Sequence, residues 1–61
     1  MLNFRQRRRE MGITQEELAK EIGVKRVAVS NWERSTILPT MNHLRKLAKF
    51  FDCKVKDFID E

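Results

Sequence analysis

The chain has 61 residues with 41% hydrophobic and 36% charged residues, two glycines and one proline, which leaves room for one domain and favours a compact helical fold over disorder or sheet. Its net charge of +4 and pI near 9.7 favour a polyanionic partner, and the positive excess lies mainly in the first half, where 8 basic face 5 acidic residues through Arg34. No apolar run approaches the ~20 residues that span a bilayer, the start MLNFRQRRRE lacks a secretory apolar core, and one cysteine, Cys53, excludes an internal disulfide and a cysteine-based zinc site; the expectation is a cytoplasmic protein without membrane contact, metal or cofactor.

Met1, Phe4, Arg8 and Met11 share one helical face and predict a first helix of about nine residues. Arg8 is the polar residue on that stripe: either its stem lies along apolar surface with the head in water, or it has a buried partner. Arg5, Arg7 and Arg9 face solvent. Gly12 suits a left-handed helix end and Ile13 covers the core. Thr14 then caps a second helix, with Glu17 three residues on to complete a capping box. Leu18, Ala19 and Ile22 form its buried stripe, Gly23 ends it, and Val24 supplies the apolar contact of the bend.

A third helix follows at once, with Val29 and Trp32 inward and Ala28 small enough for a close crossing at Ala19. Arg26, Val27, Ser30 and Asn31 are left on its outer face. Pro39-Thr40 marks a restart, and a fourth helix runs to about Phe51, burying Leu44, Leu47, Ala48 and Phe51. Arg45, Lys46 and Lys49 stay outside, and His43 reads as a surface or helix-edge histidine. Cys53, Val55 and Phe58 fall at buried positions of a last turn and fifth helix, with Ile59 left beside it.

The ordered set Phe4, Arg8, TQEELA, Gly23-Val24, WER, Pro39-Thr40 and LAKFF resembles the helix-turn-helix of the Cro and phage-repressor family of transcriptional regulators, often called XRE-like. The resemblance covers nearly the whole chain and implies an all-α, compact five-helix domain of the lambda repressor-like type over residues 1–61, with the helix-turn-helix at about 14–33. In that family an arginine at the place of Arg8 pairs with a glutamate near the end of the recognition helix, and Glu33 stands at the matching place. The chain departs from the pattern at Ser35 and Asp52, where the family prefers glycine, and at Lys54, where it prefers a serine cap. Ser35 at positive φ would be strained, so the third helix is expected to end by another geometry. Ile37 and Leu38 replace residues that are often basic.

Together the residues and the resemblance predict a transcriptional regulator that binds palindromic operator DNA as a homodimer. Gln15 at the open start of the second helix, with Lys25 and Arg34 bracketing the third, would hold the DNA backbone. Arg26 and Asn31 suit guanine and adenine edges, Val27 a thymine methyl, and Ser30 completes the reading set. Leu38, Val55 and Ile59 are the candidates for the subunit contact. With no sensor segment beside the domain, repression by occluding a promoter is expected. The other reading is an antitoxin of the same fold whose main partner is a protein. No glycine-rich phosphate loop, paired carboxylates, Ser-His-Asp set or metal-ligand spacing points to an enzyme.

Overall fold

The computed structural model describes residues 3–58, so the expected places of Met1 and Ile59 lie outside the described residues. Four α-helices follow one another, α1 (Phe4–Glu10), α2 (Gln15–Ile22), α3 (Arg26–Glu33) and α4 (Met41–Phe51), and a single 3-10 turn, Val55–Phe58, closes them. The fold is all-α, with that turn in place of the expected fifth α-helix. Its winding has a local cause. The Asp57 amide donates to the Lys54 carbonyl three residues back, and the Asp57 carboxylate accepts from the Lys54 amide, both at 2.9 Å. This i→i+3 closure tightens the segment into 3-10 form.

Helix α1 is shorter than expected, at seven residues. Asn3 before it does not cap it with its side chain; its amide and Nδ2 donate instead to the carbonyls of Phe58 and Asp57, tying the start of the fold to its last turn. Met11 leaves the buried stripe and is 49% exposed, because the helix stops at Glu10 and the chain turns at Gly12.

All four helices end in one way. Gly12, Gly23, Ser35 and Asp52 take φ of 70°, 87°, 58° and 56°. The next amide in each case returns to a carbonyl five residues back: Ile13 to Arg8, Val24 to Ala19, Thr36 to Asn31 and Cys53 to Ala48, at 2.9–3.3 Å. This is the Schellman geometry, which satisfies carbonyls that the helix end would otherwise orphan. Ser35 therefore corrects the expectation of a different ending for α3. Its hydrogen bonds, with Ser35 N on the Trp32 carbonyl and Thr36 N on that of Asn31, hold a serine in a region that L-residues enter at a cost.

The core gathers Phe4, Leu18, Ala19, Ile22, Val29, Trp32, Leu47, Ala48 and Phe58. Phe4 stands at its centre, edge-on to Trp32 at 6.3 Å and to Phe58 at 6.2 Å, so α1, α3 and the last turn are joined through one fully buried ring. Burying a ring of this size is worth about 1.5–3 kcal/mol. Leu44, Phe51, Cys53 and Val55, expected to be buried, pack against the core only half-buried. Burial pushes the Cys53 thiol above its ordinary range. His43 packs against Trp32 with the rings tilted by 40° and their centroids 5.2 Å apart, and joins the start of α4 to α3.

Candidate nucleic-acid interface

Helix α2 opens on a complete capping box. Thr14 is extended, with φ −84° and ψ 165°; its Oγ1 accepts from the Glu17 amide at 3.0 Å, and its own amide donates to Glu17 Oε1 at 2.9 Å. The backbone bond from Thr14, then the side-chain bond, holds the Glu17 carboxyl below the ordinary carboxylate range. Two first-turn amides are thereby occupied. Those of Gln15 and Glu16 have no intrahelical acceptor by the geometry of any helix start, and they lie at the positive end of the α2 dipole.

Gly23 and Val24 turn the chain into α3. Lys25, at the start of α3, is exposed and makes no side-chain cap. Val29 and Trp32 are buried on the inner side. Arg26 and Val27 are exposed on the outer side, and Ser30 and Asn31 are half-buried beside them. Val27, at 55% exposure, is a branched hydrophobe left in solvent on an otherwise polar surface.

Behind this surface sits a buried ion pair. Arg8 Nε donates to Glu33 Oε2 at 2.7 Å and Nη2 to Oε1 at 3.2 Å, while Nη1 donates to the Ile13 carbonyl at 2.8 Å. One guanidinium thus fastens α1, the α1–α2 link and the end of α3. Gln15 Nε2 also donates to Glu33 Oε1, at 3.1 Å, and Gln15 Oε1 faces Arg26 Nη1 at 3.5 Å, a long contact for a hydrogen bond. Exposed Arg26 is therefore linked through Gln15 to the buried pair. At the other end of α3, Arg34 Nη2 donates to Asn31 Oδ1 at 3.2 Å.

The structure places Gln15, Arg26, Glu33 and Arg8 in one chain of contacts and Asn31 with Arg34 in a second. Lys25, Val27 and Ser30 share the surface without such links among the described residues. Leu38 stands apart on the α3–α4 link at 69% exposure, with Ile37 and Met41 also exposed, and Val55 is half-buried at the last turn. Sequence reasoning did not foresee the Gln15 bond to Glu33. Nor did it foresee that Arg5 Nε comes within 3.9 Å of the same carboxylate, or that Arg7 lies over the Phe58 ring, 5.8 Å from its centroid. None of these has a signal in residue spacing, since each depends on how helices cross. Among the described residues no helix is long and apolar enough to cross a membrane.

A family model described as helix-turn-helix matches residues 4–58. Over 50 residues the chain is 43% identical to repressor protein C2 of Salmonella phage P22, covering 82% of this chain and 23% of that one. It is 34% identical over 56 residues to the HTH-type transcriptional activator BcrR of Enterococcus faecalis, covering 92% of this chain and 28% of that one. The chain thus spans about a quarter of the length of these two relatives. Among solved structures, the P22 c2 repressor in complex with a synthetic operator superposes with a TM-score of 0.81 at 40% identity, covering 85% of this chain and 79% of that one.

Proposed function

Because the chain belongs to the helix-turn-helix family of Cro/C1-type transcriptional regulators, we propose that it recognises a palindromic operator as a homodimer, with α3 in the major groove, and represses by occluding a promoter. The observation that carries this reading is the outer side of α3, where Arg26 and Val27 are exposed with Ser30 and Asn31 half-buried beside them, while Val29 and Trp32 anchor the opposite face in the core. The major groove admits one such helix and offers a distinct set of donors, acceptors and methyls at each base pair.

In this assignment Arg26 meets a guanine and Asn31 an adenine. Arg34 lets go of Asn31 Oδ1 for a phosphate, which frees both ends of the carboxamide for bidentate contact. Val27 packs on a thymine methyl and Ser30 lies over a neighbouring base. Lys25 and Arg34 grip the backbone, together with the open amides of α2. Gln15, with its Nε2 already on Glu33, serves mainly to hold Arg26 in position. A phosphate contact then falls to its main-chain amide. The subunit contact is assigned to Leu38 and Val55, and to Ile59, which lies outside the described residues. Two-fold pairing sets two recognition helices ~34 Å apart on successive turns of one face of the duplex.

The exposed apolar run of Ile37, Leu38 and Met41 also supports a second reading, an antitoxin-like module that covers a protein partner. Selection of bound duplexes from a random pool tests the operator reading, and a small toxin-like reading frame adjacent to this one supports the second. An enriched inverted repeat supports the operator reading, and recovery of no preferred sequence removes it.

A further inference from the structure

Helix α4 carries a charge pattern that the reading helix does not use. At 100° per residue, Arg45, Lys46 and Lys49 fall within about 100° of its circumference, opposite buried Leu47 and Ala48, and all three are exposed. The helix, MNHLRKLAKFF, contains no acidic residue. Among the described residues the ion pairs are those of Arg5 and Arg8 with Glu33, so none of the three α4 cations has an internal partner. Arg45 and Lys49 are like charges one turn apart, an arrangement that weakens a helix unless an anion lies over it.

We propose that this outer face of α4 is a second, sequence-independent DNA-backbone surface, holding a duplex segment other than the one in the groove of α3. The inference rests on the reading of the chain as a DNA-binding protein. Leu47 and Ala48 of α4 and Val29 and Trp32 of α3 bury into one core, so the outer faces of the two helices point away from it in different directions. The molecule measures 26 × 23 × 19 Å. We take a duplex seated on α3 to leave the α4 cations uncovered. Three cations without internal partners on a rigid helix fit the closely spaced phosphates of a backbone and release counterions on contact, and contacts to phosphate carry no sequence information. The face makes few phosphate contacts, so it holds a second duplex measurably only at low salt.

The test anchors operator duplex to beads, saturates it with protein and measures capture of a fluorescent duplex of unrelated sequence as salt is raised. The wild-type protein is expected to capture it at about 50 mM salt and to lose it steeply towards about 200 mM. The triple variant R45Q/K46Q/K49Q is expected to fall to background while keeping its affinity for the anchored operator and its preference among single-base variants. Each single substitution should flatten the salt slope of capture by about 0.9. Equal capture by wild type and triple variant overturns the proposal, as does absence of capture by the wild type at the lowest salt. Loss of operator affinity in the triple variant with capture intact also overturns it, since the face then grips the operator itself. The operator reading fails separately, by loss of sequence preference in the wild-type protein.

Discussion

Arg8 meets Glu33 through two parallel hydrogen bonds, 2.7 and 3.2 Å long, with side chains 10% and 2% exposed. Fork-on-carboxylate geometry of this kind is strong and directional, yet its net contribution is offset by the desolvation of both ions. The consequence shows when one partner goes. Glu33→Ala leaves a guanidinium buried without its counter-ion, at a cost of ~3–5 kcal/mol. A domain of this size has about 3–9 kcal/mol in all. The expected result in a urea titration is a protein largely unfolded at 37 °C. Glu33→Gln, which keeps an acceptor for Arg8, should lose less. A Glu33→Ala protein melting within a degree or two of the parent contradicts the placement.

The same carboxylate holds Gln15, and Gln15 faces Arg26. Arg26→Ala and Asn31→Ala are each expected to lose ~1–3 kcal/mol of discrimination at one base pair per half-site. Gln15→Ala should erode discrimination at the base pair read by Arg26, and the double variant should lose less than the sum of the singles, as coupled neighbours do. Lys25→Ala is expected to weaken every sequence alike and to flatten the salt slope by about one unit. Binding ratios across single-base operator variants check all four. Unchanged ratios for Arg26→Ala and Asn31→Ala exclude α3 as the reader.

Much of this architecture is legible in the residues because it is local. Thr14 and Glu17 announce a capping box, Gly12 and Gly23 mark helix ends, and the apolar periods of α2 to α4 set which faces turn inward. What the sequence hides is of two kinds. The contacts of Gln15 with Glu33, Arg7 with Phe58 and His43 with Trp32 arise where helices cross, and no spacing along the chain encodes a crossing. At Ser35 and Asp52 the local preference is overruled. The hydrogen bonds of Thr36 and Cys53 back to Asn31 and Ala48 impose the left-handed turn on residues that do not favour it.

That conflict at Ser35 is open to repair. A serine at φ 58° bears a left-handed cost of ~1–2 kcal/mol that glycine avoids, partly offset by the extra freedom of glycine in the unfolded chain. Ser35→Gly is therefore expected to gain about 0.5–1 kcal/mol, and each kcal/mol raises the midpoint by roughly 4–8 °C in a domain this small. Asp52 tolerates the same conformation better, but it sets a negative charge at the carbonyl end of α4. Asp52→Asn should raise stability by ~0.3–1 kcal/mol through the helix dipole. Thermal melts followed by circular dichroism check both. A lower midpoint for Ser35→Gly would show that its side chain carries stability that the backbone geometry does not account for.

Glu17 links the start of α2 to acid. Its carboxyl accepts from the Thr14 amide at 2.9 Å, and that bond, followed by the one with the Thr14 side chain, lowers its pKa from 4.5. A carboxyl whose folded pKa lies below its unfolded one binds fewer protons in the folded state. Its contribution to stability is therefore complete above the unfolded value of 4.5 and is lost as pH falls through the lower, folded value. Glu17→Gln keeps an acceptor for the Thr14 amide but cannot titrate. The variant should be slightly less stable than the parent at neutral pH and should lose less stability on acidification, so that the two urea midpoints converge below about pH 4.5. Parallel stability curves for the two proteins from pH 7 to pH 3 would mean that the capping box contributes through its geometry alone and not through the charge of Glu17.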